Sequence, residues 1–398
     1  MNILIASFSF PWLKKNNFDG KFILAEAEAY AANGGVVKVV TPHFPGADKT
    51  EVLGEKIKVF RFRYFFPESL QVLKRAGTPL YSQRSFLGIL QIPLLCFFFA
   101  VHILKHSRWA DVIHAEWTVA ALLAFPAKWL FGKKIVVTAR GSDIRLVPKW
   151  INRFIHHKVD AAIDCFGPQK WNDEYKKTYR AHYLKLPLVV HQDVSGLVPE
   201  DMANVISRKP EPFVILYIGR FDRMKIDTNQ LPFFLLIHAG ENLRQRGFHF
   251  HLFYIGDGEE ALKKELLGLV RKPDLHDYVT LLGPKTNVPD YVRFCHVGVG
   301  GIAFNGVSMD FTISGKPQIL IDGEDNRDTP WQDGINAIMA KPNDEKDLTE
   351  RLSWAMKNPG QLRKVGEQAR QDMSEYIVDS GTGGRLYLRA FGHLLNWG

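Results

Sequence analysis

The stretch Phe213-Val-Ile-Leu-Tyr-Ile-Gly-Arg-Phe-Asp-Arg-Met-Lys225 places two cations at a fixed spacing after a hydrophobic run. The run Phe213–Ile218 predicts a strand, and open α/β sheets bind ligands at the carboxyl ends of their strands. Arg grips phosphate as a fork and Lys as a point charge, so Arg220 and Lys225 suit a diphosphate. A departing diphosphate gains negative charge, which fixed cations stabilise. The alternative for these residues is a surface turn with ordinary solvated charges.

Apolar runs alternate with longer helical stretches along most of the chain, which predicts parallel sheets with helices on both faces. Strands are predicted at Ile3–Phe8, Val36–Thr41, Ile57–Arg63, Val112–His114, Ile135–Thr138, Phe213–Ile218, Phe250–Ile255, Val279–Leu282 and Val297–Gly300. Helices are predicted at Phe22–Asn33, Pro232–Arg246, Glu259–Val270, Pro289–Cys295, Asp347–Lys357, Pro359–Glu375 and Gly381–Trp397. The pattern indicates the α/β class.

A chain of 398 residues is too long for a single core and indicates two domains. The alternation restarts after Pro210, so the joint is predicted at Ser195–Pro212, where prolines and charges interrupt the apolar rhythm. We expect an N-terminal domain at 1–198 and a C-terminal domain at 199–378, each Rossmann-like and doubly wound. They are expected to face each other across a cleft that holds the ligand. Residues 379–398 are predicted to form a helix that packs back on the first domain.

The positive charge of the chain is concentrated in its first half. Residues 1–195 contain 27 Lys and Arg against 15 Asp and Glu, whereas the remaining residues contain 24 against 27. A basic half attracts anionic lipid surfaces, nucleic acid or phosphorylated substrates. No Lys/Arg-rich run or RNA-binding signature accompanies this excess, so we do not expect a nucleic-acid partner.

The cysteines and the first residues indicate a cytoplasmic location. Cys96, Cys165 and Cys295 have no metal-like spacing and fit a reducing compartment better than a disulfide framework. The start, Met1 to Phe8, lacks a basic region and predicts a buried strand rather than a signal peptide.

Several stretches resemble, in the same order, the motifs of the retaining GT-B glycosyltransferases of family four (glycosyl transferases group 1). They are Gly219-Arg220 with Lys225, Tyr254-Ile-Gly-Asp-Gly258, Leu282 to Tyr291, Asp310-Phe-Thr-Ile-Ser-Gly-Lys-Pro317 and Asp333-Gly-Ile-Asn336. The resemblance covers most of residues 210–370 and the first half loosely. It implies a nucleotide-sugar donor held mainly by the second domain, an acceptor held mainly by the first, and transfer with retention. No obligatory metal and no cofactor are implied.

The resemblance also assigns donor-binding roles. Arg220 and Lys225 would stabilise the departing diphosphate next to Gly219. Asp310 falls where the family has a carboxylate that binds the donor ribose; the alternative is an N-cap for a helix starting near Phe311, which Asp also favours. The backbone N–H groups just before that helix would contact phosphate. These N–H groups belong to Val307, Ser308 and Met309.

One donor carboxylate of the family is missing from this chain. Its position is Ile302, which cannot hydrogen-bond a sugar hydroxyl, so either Asn305 replaces it or the donor sugar is held differently. Gly20, in Asn17-Phe-Asp-Gly-Lys21, resembles the glycine of a loop over the donor phosphates, although a turn residue is the alternative. His114 falls where the family has an active-site histidine; a satisfied histidine at a strand end is the alternative.

Arg140-Gly-Ser-Asp143 resembles a His-Gly-Ser-Asp turn of the family. Arg140 adds a permanent charge that suits a phosphate on an acceptor or donor. The alternative is that Arg140 forms an ion pair with Asp143 or Glu116. Glu116 is the nearest carboxylate after His114 and would orient it or act as a base. No covalent nucleophile and no metal site are expected.

The apolar stretch Phe86–Leu104 is interrupted by Gln91, Pro93 and His102, and predicts a buried or interfacial helix rather than a membrane span. Basic and aromatic residues precede it: Lys56, Lys58, Arg61, Arg63, Tyr64, Phe65, Phe66, Lys74, Arg75, Tyr81 and Arg84. Such a surface suits peripheral binding to an anionic membrane. A buried helix flanked by a solvated basic edge is the alternative.

These features predict a glycosyltransferase that uses a nucleotide sugar and a glycan or lipid-linked acceptor, as in polysaccharide or glycolipid biosynthesis. A sugar-nucleotide epimerase of the same fold is one alternative, but it needs a pair of carboxylates to shuttle protons, and no clear pair is present. A non-catalytic binding protein is the other, because Ile302 and Asp310 replace two glutamates of the family.

Overall fold

Two largely parallel sheets form the cores of two separate units in the computed structural model of the chain. Unit 1 comprises Met1–Val189 and Val378–Gly398, and unit 2 comprises Val190–Ile377. The structure describes residues 1–12, 20–73, 86–139, 147–164, 182–190, 195–219, 221, 233–300, 306–321 and 330–396. The α/β class predicted from the alternation is therefore found in both halves.

Unit 1 contains an eight-stranded sheet with the order β3-β4-β2-β1-β5-β6-β7-β8. Its strands are β1 (Asn2–Ala6), β2 (Val36–Pro42), β3 (Thr50–Leu53), β4 (Ile57–Phe62), β5 (Val112–Glu116), β6 (Lys134–Thr138), β7 (Ala161–Asp164) and β8 (Tyr183–Lys185). Only β3 and β4 pair in the antiparallel sense among these strands. Its helices are α1 (Lys21–Ala32), α2 (Phe86–Ser107), α3 (Thr118–Phe131), α4 (Lys149–Lys158) and, from the end of the chain, α13 (Ser380–Leu395).

The central strand of unit 1 is apolar on both sides because helices cover both faces of the sheet. Ile3 and Ile5 of β1 belong to a core with α1 and α13, whereas the alternate residues, Leu4 and Ala6, belong to a core with α2 and α3. The C-terminal helix α13 packs directly on α1. It completes the core of unit 1 although the whole of unit 2 lies between the two segments of unit 1 in the sequence.

Unit 2 contains a six-stranded parallel sheet with the order β12-β11-β10-β13-β14-β15. Its strands are β10 (Phe213–Ile218), β11 (Phe250–Ile255), β12 (Val279–Gly283), β13 (Val297–Gly300), β14 (Gln318–Ile321) and β15 (Ile338–Ala340). Its helices are α5 (Glu200–Ile206), α6 (Phe233–Gln245), α7 (Glu260–Val270), α8 (Pro273–His276), α9 (Val288–Phe294), α10 (Gly306–Ile313), α11 (Glu345–Lys357) and α12 (Pro359–Asp372). The remaining strands, β9 (Leu188–Val190) and β16 (Ile377–Asp379), form a two-stranded sheet.

The stretch expected to join the two domains, Ser195–Pro212, instead contains helix α5 of unit 2. Pro199 precedes this helix, and its first turn carries two acidic residues, which stabilise a helix N-terminus. One of them, Asp201, accepts a hydrogen bond from the Tyr291 hydroxyl at 2.9 Å. The charges and proline that looked like a linker are therefore a helix start, and the chain leaves unit 1 at Val189 rather than near residue 198.

The basic surface expected before α2 is partly neutralised within unit 1. Arg61 is buried, and its Nη2 lies 2.7 Å from Glu51 Oε2. Arg63 Nη2 lies 2.6 Å from a Glu68 oxygen. Three further cations of that expected surface, Lys74, Arg75 and Arg84, lie outside the described residues. The sequence count therefore overstated the free charge of this segment.

The contact between α13 and α1 predicts a selective effect of adding a methyl group. A Cβ at Gly384 would lie 2.1 Å from the Ala29 oxygen, whereas a Cβ at Gly392 of the same helix would meet only the end of Met1 at 3.8 Å. Overpacking costs about 1–3 kcal/mol, so Gly384→Ala should lower the melting temperature measured by calorimetry. Gly392→Ala should leave it unchanged or raise it, since Ala is the better helix former by about 0.5–1 kcal/mol. Equal melting temperatures for both variants would contradict the packing.

Candidate functional site

The candidate site of unit 2 begins where β10 ends. Gly219 donates its backbone N–H to the Ile255 oxygen at 3.0 Å, and Phe221 donates to the Asp257 oxygen at 3.0 Å. Glu259 donates back to the Phe221 oxygen at 2.9 Å. The chain after β10 is therefore fixed to the turn after β11 on both sides of position 220. Arg220 and Lys225 themselves lie outside the described residues.

Two glycines of the turn after β11 make this contact possible. A Cβ at Gly256 would lie 1.8 Å from the Gly219 oxygen, and a Cβ at Gly258 would lie 2.0 Å from the Phe221 oxygen. Neither distance is sterically allowed, so only glycine permits the two turns to approach so closely. The two glycines therefore allow the turn after β11 to contact the backbone on both sides of position 220.

A buried tyrosine lies under the same junction. Tyr217 is only 1% exposed, and a Cβ at Gly219 would lie 2.5 Å from its hydroxyl oxygen. The centroid of its ring lies 5.4 Å from the centroid of the Tyr254 ring. The Tyr254 hydroxyl donates a hydrogen bond to the Phe233 backbone oxygen at 2.8 Å. Burial raises the pKa of both phenols, so both are neutral near pH 7. Among the described residues, the Tyr217 hydroxyl has no hydrogen-bond partner.

Helix α10 begins on the same edge of the sheet, because it follows β13 and β13 pairs with β10. A Cβ at Gly298 would lie 2.6 Å from the ring of Phe311, so this glycine lets α10 pack tightly on β13. The Gln318 side chain donates to the Ser308 oxygen at 3.0 Å, and the Thr312 hydroxyl donates to the same oxygen at 2.7 Å. These bonds fix the start of α10 relative to β14.

The helix start differs from the sequence prediction. Helix α10 begins at Gly306 rather than near Phe311, so Asp310 lies in its second turn and cannot be its N-cap. That alternative role is wrong. The three residues expected before the helix lie in its first turn, where the helix dipole favours anions: Val307, Ser308 and Met309. The phosphate and ribose roles of these residues stay predictions.

Gly20 has a structural reason to be glycine. It precedes α1 with φ +82°, and a Cβ there would lie 2.8 Å from the Ser9 oxygen. Ser9 is in turn held by Ser7, whose hydroxyl accepts a hydrogen bond from the Ser9 N–H at 3.1 Å. The close approach that Gly20 permits is therefore to its own chain, and its contact with donor phosphates stays a prediction.

His114 and Glu116 lie together inside unit 1. Both are fully buried, and Glu116 Oε1 lies 3.4 Å from His114 Nε2. The two ring nitrogens of His114 lie 3.1 Å from the Tyr30 hydroxyl and 2.7 Å from the Thr138 hydroxyl. Glu26, also fully buried, lies 3.9 Å from Nδ1. Neither His114 nor Glu116 exposes surface in this structure, and the roles expected of them stay predictions.

Glu26, His114 and Glu116 are also the group within the described ranges that offers metal ligands, since their ligand atoms lie within 4.8 Å of one another. Each carboxylate lies nearest to a different ring nitrogen, and each nitrogen has its own hydroxyl within hydrogen-bonding distance, Tyr30 at Nδ1 and Thr138 at Nε2. This geometry suits hydrogen bonding better than a shared ion. Buried ionisable groups need hydrogen-bond or ion-pair partners, and the side chains around His114 provide them.

The remaining predicted site residues fall outside the part of the chain that the structure describes. They are Arg140, Asp143, Ile302 and Asn305, together with Arg220 and Lys225. The phosphate role of Arg140, its alternative pairing with Asp143 or Glu116, and the two alternatives for the missing carboxylate therefore stay predictions.

Several residues that shape these sites were not predicted from the sequence. Glu26 and Tyr30 are one turn apart on α1, and an acidic residue at an inward-facing position among the alanines of this helix was a signal. Thr138 of β6 lies opposite Glu116 of β5 in the sheet. This pairing could be predicted only after β5 and β6 were known to be neighbours. Tyr217 and Gln318 gave no signal, because each fits an ordinary strand.

Solved structures with the same architecture belong to GT-B glycosyltransferases, which confirms the predicted fold class. Sucrose-phosphate synthase from Thermosynechococcus elongatus matches with 16% identity and a TM-score of 0.65, covering 98% of this chain and 99% of that one. HepE (Alr3699) from Anabaena, solved in complex with UDP-glucose, matches with 14% identity and a TM-score of 0.65 over 99% and 100% of the two chains. Trehalose-6-phosphate synthase OtsA matches with 11% identity and a TM-score of 0.69 over 98% and 99%.

Residues 212–358 match the model of the family described as glycosyl transferases group 1. This match bears out the resemblance to glycosyl transferases group 1 over that part of the second half of the chain. A search of curated protein sequences finds no match.

The glycine junction predicts that one methyl group should disable nucleotide binding. Gly258→Ala would place a methyl group 2.0 Å from the Phe221 oxygen, so the backbone of Phe221 must move away from the turn after β11 and the proposed diphosphate site beside it is disrupted. We expect this variant to lose the thermal shift that a nucleoside diphosphate gives the native protein. Gly268→Ala in α7 is the matched control, because no atom lies within 4 Å of its new Cβ. Equal shifts for the two variants would refute a role of the junction.

Proposed function

We propose that the protein transfers a sugar from a nucleotide-diphosphate donor to an acceptor with retention of the anomeric configuration. The observation that carries the proposal is the glycine junction between the turns after β10 and β11, in a unit that matches a glycosyltransferase family. The junction holds the backbone on both sides of Arg220, the residue that we assign to the donor diphosphate.

In this proposal Arg220 and Lys225 stabilise the negative charge that develops on the departing diphosphate. Because this charge appears mainly in the transition state, loss of either cation alone should lower turnover more than donor binding. The first turn of α10 offers a helix dipole to the phosphates, and Asp310, one turn further, accepts hydrogen bonds from the ribose. The two cations supply the charge, so the proposal includes no metal and no cofactor.

We further propose a glycan or lipid-linked acceptor at unit 1, in polysaccharide or glycolipid biosynthesis on the cytoplasmic side of a membrane. The basic first half of the chain supports an anionic acceptor or surface. Arg140 and Asp143 are the candidates for contacts with the acceptor. His114 and Glu116 act in this scheme by holding the end of β5 in place.

Incubation with a panel of uridine and guanosine diphosphate sugars tests the activity. We expect slow release of the nucleoside diphosphate without an acceptor and faster release with a glycan or lipid-linked acceptor, with the product retaining the donor's anomeric configuration by NMR. Formation of an epimer would support an isomerase of the same fold instead. Binding without turnover of any donor would show a non-catalytic protein.

Removal of both proposed donor cations should abolish the nucleotide-dependent effects. Arg220→Ala combined with Lys225→Ala should lose the thermal shift given by the donor, and turnover should fall by at least about 100-fold. Arg271→Ala combined with Lys272→Ala removes the same charge from an exposed position of unit 2 and should change neither quantity. An unchanged donor-induced thermal shift in the Arg220→Ala, Lys225→Ala variant would contradict the site assignment.

The absence of a metal from the proposal has its own test. Turnover of the preferred donor should be the same after dialysis against excess EDTA as before it. A loss of activity that Mg²⁺ or Mn²⁺ restores would show that a cation, rather than Arg220 and Lys225 alone, carries the charge of the leaving group.

A further inference from the structure

Three helices of unit 1 expose an apolar outer surface, which we name the α2–α3–α4 face. On α2 the outward residues recur every three or four positions, and they are Phe86, Ile89, Leu90, Leu94, Phe97 and Val101. On α3 and α4 they are Trp129, Leu130, Trp150 and Phe154. Trp150 is 74% exposed and Trp129 is 68% exposed. Soluble monomers rarely expose so many large apolar side chains on neighbouring elements.

The face is continuous. Helix α2 packs on α3, and α3 packs on α4. The ring of Phe125 lies 5.9 Å from the ring of Trp129 and also 5.9 Å from the ring of Phe154, so it joins the exposed aromatic residues of α3 and α4. At the other end, the Arg108 guanidinium lies 4.9 Å from the ring of Phe131 and joins the end of α2 to the end of α3.

The charge of the face has one sign. The sequences of α2, α3 and α4 contain no Asp or Glu, and their charged residues are Lys105, Lys128, Lys149, Arg153 and Lys158. Of these, Lys128 is paired with Asp160, at 2.7 Å. On α4, three exposed cations alternate with the exposed rings of Trp150 and Phe154. A surface of cations and aromatic residues complements a layer of anionic headgroups over hydrocarbon.

Helix α2 is long and apolar enough to cross a membrane, but its inner side belongs to the core of unit 1. Leu95, Phe99 and Ile103 are buried against the sheet. The fully buried Gln91 donates to the Leu70 oxygen at 2.7 Å and accepts from the Val72 N–H at 3.1 Å. A spanning α2 would break these contacts, so the helix can meet a bilayer only along its outer side.

A second copy of the chain fits the face less well than a bilayer does. Two copies related by a two-fold axis would place the α4 cations of both copies in one interface, without a carboxylate on any of the three helices to pair with them. Like charges in an interface cost free energy. Tryptophan and tyrosine residues are also typical of the headgroup region, where one side of the ring is apolar and the other is wet.

We propose that the α2–α3–α4 face docks in the plane of an anionic lipid bilayer, with its apolar residues among the acyl chains and the cations of α4 at the headgroups. This deepens the proposed function, on which it rests for the lipid-linked acceptor, because docking holds unit 1 at the surface where such an acceptor lies. The face adds a second source of charge attraction to the basic segment at residues 56–84, of which Arg61 and Arg63 are paired within unit 1.

Co-sedimentation with vesicles tests the docking without any donor. The full-length protein should bind vesicles of equal parts phosphatidylcholine and phosphatidylglycerol at least about tenfold more tightly than vesicles of phosphatidylcholine alone, and salt should weaken the difference. Equal binding to both kinds of vesicle, or binding to neither, would overturn the proposal. So would a concentration-dependent dimer that masks the face, seen by analytical ultracentrifugation.

Two pairs of variants separate the apolar contribution from the charge. Leu130→Ser with Trp150→Ser should weaken binding to anionic vesicles about tenfold or more, and Lys149→Ala with Arg153→Ala should weaken it by a similar factor at low salt. The matched controls change exposed residues elsewhere: Val52→Ser with Leu267→Ser, and Arg271→Ala with Lys272→Ala. Controls that lose as much binding as the face variants would refute the site.

The failure of docking and the failure of the glycosyltransferase proposal are distinguishable. Hydrolysis of the donor in solution needs no membrane, so the face variants should keep the native rate. Full donor hydrolysis with no vesicle binding would overturn the docking face alone. Vesicle binding with no reaction of any nucleotide sugar would leave docking in place and overturn the enzymatic proposal.

Discussion

The close contact between two backbone turns is the constraint on which the candidate donor site depends. The carbonyl oxygens of Gly219 and Phe221 occupy space that any side chain at Gly256 or Gly258 would need. Hydrogen bonds on both sides of position 220 then hold the chain in one path. In the proposed function, this fixed backbone on both sides of position 220 places the donor cation at the carboxyl edge of the sheet, where charge stabilises a departing diphosphate. The buried rings of Tyr217 and Tyr254 pack against each other beside the junction, and both phenols are neutral.

The sequence was most informative where a pattern had one physical explanation. Runs of apolar residues predicted strands β10 and β11, and helical spacing of apolar residues predicted helix α7. The glycines after both strands indicated the turns. The pattern was misleading at Pro199 and Asp201, because proline and acidic residues occur both in linkers and in the first turn of a helix. The start of α10 was placed too late for a related reason: Asp310 is a good N-cap, and nothing in the preceding Gly-Val-Ser-Met marked the earlier start at Gly306.

Contacts between distant segments could not be predicted from local patterns. The cluster around His114 joins α1, β5 and β6, and only the register of the sheet shows that Thr138 and Glu116 are neighbours. The role of α2 was equally ambiguous in sequence, because apolar residues occupy most positions around the helix. The structure shows that one side completes the core and the other is exposed, so the same helix stabilises unit 1 and supplies the α2–α3–α4 face.

A structure of the protein with a bound nucleoside diphosphate would test the central claim most directly. We predict that the diphosphate lies at the carboxyl edge of the second sheet, with the Arg220 guanidinium and the Lys225 ammonium within hydrogen-bonding distance of its oxygens and the first turn of α10 facing it. A diphosphate bound elsewhere, with Arg220 and Lys225 turned to solvent, would contradict the account.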